Sequence, residues 1–324
     1  MFQGFGDPAR LIVGQTGDKK TMDNIRTDLN LDQPKWKQFF LYLNDVSPVA
    51  IHATSEINKK ELKGIFIGGE KKLAFKYPYL RKSYQTKRNV GDVLLEALPG
   101  TLILAFAAMI IACIGGIFLG VTAAVKKGTW MDTTAVFSSI AGISAPSFFM
   151  AIIIAYIFGN ILHPFTGLNL TGSLYEIDEV TGEKYLNLKN LILPAFTLGI
   201  RPLAIITQLT RSSMLDVLQQ DYIRTAYAKG LSKSKVVFRH ALRNALNPVI
   251  TAITGWFAEL LAGAFFVEYI FGWKGIGKIT VDALEKLDYP VVMGSVLLSA
   301  CIFILINILA DFIYKAVDPR ISLQ

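Results

Sequence analysis

LPGTLILAFAAMIIACIGGIFLGVTAAV, Leu98–Val125, holds no charged residue. A bilayer core needs roughly 20 apolar residues in a row, so this stretch reads as a membrane-crossing helix. Four further runs of comparable apolarity follow it, about Thr133–Leu162, Leu191–Met214, Pro248–Phe271 and Val291–Tyr314. The composition agrees. The chain is 52% hydrophobic and 18% charged, with a mean hydropathy of +0.42, where ordinary soluble domains carry about 25% charge. The expectation is an all-α polytopic membrane protein with five spans in residues 98–318.

Loop charge orients the spans. Lys126 and Lys127 follow the first, Arg224, Lys229, Lys233, Lys235, Arg239 and Arg243 follow the third, and Lys315 and Arg320 follow the fifth. The positive-inside rule puts these segments in the cytoplasm. The loop His163–Asn190, with Glu176, Asp178, Glu179 and Glu183, then lies outside. The formal net charge is +8. Because the cations flank apolar runs, they point to topology and not to nucleic acid. Cys113 and Cys301 sit inside apolar runs, without disulfide or metal-ligand spacing.

Residues 1–97 differ in composition. They are rich in Lys, Asp, Asn and Gly and hold no membrane-length run. Thr21–Asn30 and Pro34–Leu43 read as helices, and Gly64–Gly69 and Lys72–Tyr77 as strands around a Gly-Gly turn. A small α+β region on the outer membrane surface is expected. Met1–Asp7 has neither a basic start nor an apolar signal core, yet this topology requires the segment to be translocated. The reading therefore expects an upstream membrane helix, absent through truncation or a misassigned start.

The cytoplasmic segment 215–247 holds the most informative pattern. Asp221–Gly230 reads as a short helix capped by Asp221, with Lys229 at its C-terminal dipole and Gly230 in the left-handed position that stops it. Ser232 opens a second helix that ends near Asn247-Pro248. Such a helix–Gly–helix fits a groove on a partner. It fits equally well a solvated basic connector.

Arg224-Thr225-Ala226-Tyr227-Ala228-Lys229-Gly230-Leu231, followed by Arg239-His240-Ala241-Leu242-Arg243-Asn244-Ala245-Leu246-Asn247-Pro248, resembles the EAA loop of binding-protein-dependent ABC importer permeases. In detail it resembles the B-type subunit of the dipeptide/oligopeptide branch. Arg224 and Ala226 stand where the generic loop has Glu and Ala, a replacement usual in that branch. Further matching stretches are Gly6-Asp7-Pro8-Ala9, Leu29-Asn30-Leu31-Asp32-Gln33-Pro34, Leu98-Pro99-Gly100-Thr101, Ser144-Ala145-Pro146-Ser147-Phe148, Asp282-Ala283, Asp288-Tyr289-Pro290 and Asp318-Pro319-Arg320. Residues 47–89 depart from the pattern. They are longer than the family equivalent and lack its Gly-Asp-Leu-Gly.

The resemblance implies a type I ABC importer permease fold in a bacterial or archaeal cytoplasmic membrane. It implies a second permease (a paralogue or a second copy), two ATP-binding cassette ATPases that hold ATP and Mg, and an extracytoplasmic solute-binding protein. This chain itself would bind no cofactor and catalyse nothing. Asp221, Tyr222, Arg224, Ala226, Ala228, Lys229, Gly230 and Leu231 would couple to the ATPase. The cargo implied is di- or oligopeptides, with nickel chelates and some glycosides as alternatives. An ion-coupled secondary transporter is the competing class, but no internal repeat is visible and a coupling loop has no use without an ATPase.

Gly272-Trp273-Lys274-Gly275-Ile276-Gly277-Lys278 nearly spells a phosphate-binding P-loop. Ile279 takes the Ser/Thr position that would hold Mg²⁺, and no strand precedes the segment, so nucleotide binding is rejected. Within the spans, Pro146 breaks the backbone ladder, which makes Ser144 and Ser147 candidates either for the translocation path or for helix packing. Arg201, Gln208, Glu259, Glu268, Asn307 and Asp311 are polar within the spans. Arg201, Gln208 and Glu259 are candidates for the same path, Arg201 and Glu259 being the deeper, whereas Glu268 and Asp311 lie near span ends, where interfacial snorkelling or packing is expected. Arg201 is expected to pair with Glu259 or Glu268, or to meet peptide carboxylates. His52, His163 and His240 are scattered and form no metal pattern, and His240 is read as a coupling contact.

Overall fold

The computed structural model describes Asp23, Arg26, residues 32–178 and residues 181–317. Asp23 and Arg26 are helical; the rest of the helix expected over Thr21–Asn30 lies outside the described residues, as do Gly6–Ala9, Leu29–Leu31 and Asp318–Arg320. The chain divides into two compact units, Met1–Ala97 with Ile279–Leu297, and Leu98–Lys278 with Leu298–Gln324.

In the first unit, α1 (Lys35–Val46) is followed by β1 (Val49–Ala53), α2 (Thr54–Lys60), β2 (Gly64–Gly68) and β3 (Lys71–Lys76). The β2–β3 hairpin forms where its sequence predicts, with Gly68 at φ +131°. The strands make an antiparallel sheet in the order β1–β3–β2, with Val49 opposite Phe75 opposite Ile65, and Ile51 opposite Leu73 opposite Ile67. Period-2 alternation turns Ala50, His52, Ala74 and Lys76 to the buried side. Beneath it Asp45 is buried and paired with Lys60 (2.5 Å) and Arg81 (3.6 Å), and its carbonyl accepts from the ammonium of Lys76. Burial pushes the Lys76 amine below its usual range. Asp288 accepts from the Ser83 hydroxyl and the Tyr84 and Gln85 amides, and so fixes the turn before α3.

α3 (Val90–Val125) enters the second unit at Leu98. α4 (Trp130–Ser144) and α5 (Ser147–Tyr156) follow, the latter prolonged by a π-helical turn over Ile157–Ile161. α6 (His163–Thr166) and the hairpin of β4 (Tyr175–Ile177) and β5 (Lys184–Leu186) lead to α7 (Lys189–Leu218). Next come α8 (Asp221–Ala228), α9 (Lys233–Lys235), a π-helical stretch over Val236–Ala241, and α10 (Leu242–Ala245). α11 (Asn247–Gly263), α12 (Phe265–Ile270), α13 (Ile276–Glu285) and α14 (Tyr289–Val317) complete the described chain.

Among the described residues three helices are long and apolar enough to cross a membrane: α3, α7 and α14 over Tyr289–Ala310. A fourth crossing is available if α4 and α5 count as one span, although the pair is bent by 110°. The bend sits at Pro146. Proline drives the preceding residue out of the helical region, and Ala145 is extended at φ −77°, ψ 130°. The apolar run over 248–271 forms two helices, α11 and α12, divided at Ala264.

α3 and α7 pack through small residues. A Cβ on Gly116 would lie 2.7 Å from the Ile206 side chain, and one on Gly120 would lie 2.7 Å from the Thr207 carbonyl. This Gly-x-x-x-Gly spacing on one helix face lets the two backbones approach closely. Leu104, Ala105, Ala108 and Ala112 of α3 are fully buried beside Leu198 and Ile206 of α7 in the main apolar core. At the far end of α7, Arg211 forks onto Asp132 at 2.5 and 3.0 Å, and Asp132 also accepts the Gly128 amide. That bidentate pair locks the start of α4 to the end of α7.

Candidate functional site: the α8 loop and the Arg201–Glu259 pair

α8 is amphipathic. Ile223 and Ala226 are 1% and 6% exposed and join Met214, Val236, Val237, Ala241, Val121 and Ala124 in a second apolar cluster. Asp221, Tyr222, Arg224, Thr225, Tyr227, Ala228 and Lys229 face outward. Gln220, not Asp221, holds the capping position; Asp221 is the first helical residue, where its charge suits the helix dipole. The helix stops where the sequence predicts. The Leu231 amide donates to the Ala226 carbonyl, the Gly230 amide donates to the Tyr227 carbonyl, and Gly230 stands at φ +76°. These two bonds define a Schellman stop. On the second arm, the Asn244 amide donates to the Tyr222 hydroxyl at 3.0 Å and ties α10 to α8. Ser232 precedes α9 but makes no side-chain cap bond.

Of the residues expected to couple to an ATPase, Asp221, Tyr222, Arg224, Ala228, Lys229 and Gly230 are exposed. Ala226 is buried in the second apolar cluster and holds the helix to the bundle, and Leu231 is half-buried against the same cluster.

The candidate translocation residues divide similarly. Arg201 of α7 and Glu259 of α11 stand 3.9 Å apart, with side chains 55% and 54% exposed. The Arg201 guanidinium also lies over the Trp256 ring, 5.4 Å from its centre, as a cation–π contact. Both charges open on a small cavity of about 70 Å³ lined also by Gly142, Ala145, Ser147 and Thr197. Charged groups on membrane-embedded helices are stable only beside water or another polar surface. Ser147 therefore joins Arg201 and Glu259. Ser144 and Pro146 are exposed at the bend without lining this cavity; the Ser144 hydroxyl is spent on the Ile140 carbonyl at 2.8 Å. Gln208, two turns along α7, does not line it either. Trp256 was not singled out by sequence reasoning. Its spacing of three from Glu259 on an apolar helix was the available signal.

Glu268 does not approach Arg201. It is fully buried and accepts from the Thr101 hydroxyl (2.8 Å) and the backbone amides of Gly277 (2.7 Å) and Lys278 (3.2 Å). The near-P-loop is thus an amide nest filled by the chain's own carboxylate. Among the described residues no group of His, Cys, Asp and Glu could hold a metal ion.

In the β4–β5 hairpin, Glu176 accepts from Asn187, Tyr185 and Asn190 at 3.0, 2.8 and 2.6 Å. These bonds hold its carboxyl below the usual carboxylate range.

Residues 116–323 match the family described as binding-protein-dependent transport system inner membrane component, and residues 1–105 match that system's N-terminal membrane-component family. The chain is 37% identical to the dipeptide transport system permease protein DppB of Escherichia coli (strain K12), over 98% of this chain and 90% of that protein. It is 34% identical to DppB of Alkalihalophilus pseudofirmus with the same coverage, and 34% identical to the glutathione transport system permease protein GsiC of Escherichia coli O6:H1 over 98% and 89%. Its fold is similar to a chain of the MetNI methionine ABC transporter in an inward-facing conformation, with a TM-score of 0.55 at 16% identity, covering 70% of this chain and 97% of that one. The chain belongs to the binding-protein-dependent transport system inner membrane components, the permease subunits of ABC importers.

Proposed function

We propose that this permease carries di- or oligopeptides inward, in a type I arrangement with a second permease, two ATP-binding cassette ATPases and a solute-binding protein on the outer side. The peptide cargo rests on the curated relatives, whose names specify dipeptides, di/tripeptides and glutathione. All three are short chains bearing free amino and carboxylate ends. In this reading residues 1–97 and the loop 163–190 are extracytoplasmic, and 215–247 is cytoplasmic.

The outward face of α8 carries the coupling. Ile223 and Ala226 bind the helix to the bundle, so a push on Tyr222, Arg224, Tyr227 and Lys229 is passed to α7 and to the second arm through the Tyr222–Asn244 bond. ATP and Mg stay on the ATPases. The Arg201–Glu259 pair lines the path and presents both charges to a zwitterionic peptide. Its half-exposed geometry between the membrane-length α7 and the apolar α11 supports this reading best.

The test is reconstitution of the whole complex in proteoliposomes with a radiolabelled dipeptide inside or outside. ATP-dependent accumulation that requires the binding protein supports the proposal. Uptake driven by an ion gradient without ATP overturns it.

A further inference from the structure

Trp36, Phe39, Phe40 and Leu43 fall at i, i+3, i+4 and i+7 of α1, the spacing of one helix face. In a water-surrounded domain that face packs inward. Here the four side chains are 65%, 52%, 62% and 44% exposed, while α1 turns Tyr42 and Asp45 inward. The Asn44 amide donates to the Ile51 carbonyl, and its oxygen accepts the Ile51 amide, so Asn44 closes the free edge of β1 like an added strand. With Asn44 aimed at that edge and Tyr42 and Asp45 on the covered side of the sheet, the 100° step of a helix brings the aromatic face to the sheet's bare side. That side is also apolar. Val49, Phe75, Ile65, Ile51, Leu73 and Ile67 form two cross-strand rows, all exposed, with no charge among them. At roughly 100 Å² each they leave about 600 Å² bare, at the upper limit of what monomeric proteins expose.

We infer that this surface is seated in the headgroup–acyl boundary of a lipid bilayer, with Trp36, Phe39, Phe40 and Leu43 inserted. Four arguments favour lipid over protein. A binding protein that docks and departs would leave the surface bare in every cycle, whereas a bilayer covers it always. Exposed Lys35 and Lys37 flank Trp36, and exposed Lys63 and Lys71 flank the apolar rows, which complements anionic headgroups. Trp with Phe beside Lys is the composition of interfacial helices. The same chain also continues into the membrane-length α3, which tethers the unit to the bilayer. The choice of the outer leaflet rests on the extracytoplasmic placement proposed above; contact with lipid does not.

The experiment uses the whole transporter in nanodiscs containing anionic phosphatidylglycerol. Phe40→Cys in a Cys113→Ala, Cys301→Ala background carries an environment-sensitive fluorophore, with Lys59→Cys on exposed α2 as the in-domain reference. Severalfold stronger quenching at position 40 than at 59 by brominated acyl chains, with the reverse order for aqueous iodide, is expected. Iodide quenching at 40 equal to that at 59 overturns the inference. So does shielding of position 40 from both quenchers together with a protein adduct from a photocrosslinker at Phe40, which would assign the surface to a subunit. Labelling of Lys59→Cys in intact cells by a membrane-impermeant maleimide tests the sidedness alone. Its failure sinks the outer placement and leaves the lipid contact standing.

Discussion

The buried carboxylate of Glu268 accepts the backbone amide of Gly277 at 2.7 Å, and a Cβ at Gly277 would lie 2.5 Å from the Phe265 Cα. A Cβ at Gly275 would lie 2.3 Å from a Glu268 oxygen. Both glycines therefore exist to admit a carboxylate, and the Thr101 hydroxyl joins α3 to the same point. Glu268→Ala strips the nest of its acceptor and leaves the buried Gly277 amide unpaired. A loss of about 1–3 kcal/mol is expected, because buried donors without partners cost that much. Glu268→Gln keeps one oxygen for the amides and is expected to lose less. Thermal unfolding of the purified complex reads the order Gln above Ala. Equal loss would mean that the hydrogen bonds do not carry the joint.

The two faces of α8 make separable predictions. Tyr227→Ala or Arg224→Glu changes an exposed side chain and is expected to weaken ATPase co-purification while leaving the melting temperature of the permease within experimental scatter. Ala226→Glu buries an unpaired charge in the second apolar cluster and is expected to lower expression and thermal stability first. Gly230→Val forces a β-branched residue to φ +76°, at a cost of order 1–3 kcal/mol in the stop that orients the helix. Measuring stability and ATPase binding on the same preparations checks all three. Outward variants that unfold the protein would refute the assignment of faces.

These particulars also mark what the sequence could reveal. The Leu98–Val125 run, the Gly230 stop and the Gly64–Lys76 hairpin are written in local chemistry: unbroken apolarity, a residue tolerant of positive φ, and a Gly-Gly turn. Pro146 announced a break, but its 110° angle depends on what α4 and α5 pack against, which no local rule supplies. The sequence left the partner of Arg201 open between Glu259 and Glu268. Deciding between them needed Thr101, distant in sequence, which with the Gly277 and Lys278 amides claims Glu268. The apolar face of α1 is written in the i, i+3, i+4 and i+7 spacing of Trp36, Phe39, Phe40 and Leu43, yet its direction is not. Periodicity finds a face, and only the neighbours say whether it points inward.

Arg201 and Glu259 permit a charge-swap test. The pair is half-exposed and 3.9 Å apart, so its stabilising share is small, about 0–1 kcal/mol for such pairs. Arg201→Glu or Glu259→Arg alone is expected to leave stability within that range while cutting peptide uptake severalfold, since each places two like charges at the mouth of the cavity. The double exchange is expected to restore part of the uptake. A binding-protein-stimulated ATPase assay on the same variants separates lost coupling from a blocked path: stimulation should persist in the single variants. Full uptake in either single variant would remove the pair from the translocation path.

Glu176 gives a pH prediction with a definite sign. Hydrogen bonds from Asn187 first, then Tyr185 and Asn190, hold its folded-state carboxyl below the unfolded value. A depressed folded value means the ionised form stabilises the β4–β5 hairpin. That stabilisation is complete above the unfolded carboxylate range near ~4.3, and it is lost as pH falls from there through the lower folded value. Amide hydrogen exchange over Tyr175–Asn187, compared between neutral pH and pH about 3 after correction for intrinsic rates, should show the hairpin opening before the core of α7. Glu176→Gln can still accept from one or two donors but cannot titrate, so its hairpin should exchange faster than the native one at neutral pH and change little on acidification. An acid-induced opening of equal size in the Gln variant would assign the effect to other groups, of which Asp178, whose carboxylate accepts the Thr181 amide at 2.9 Å in the same hairpin, is the first to test.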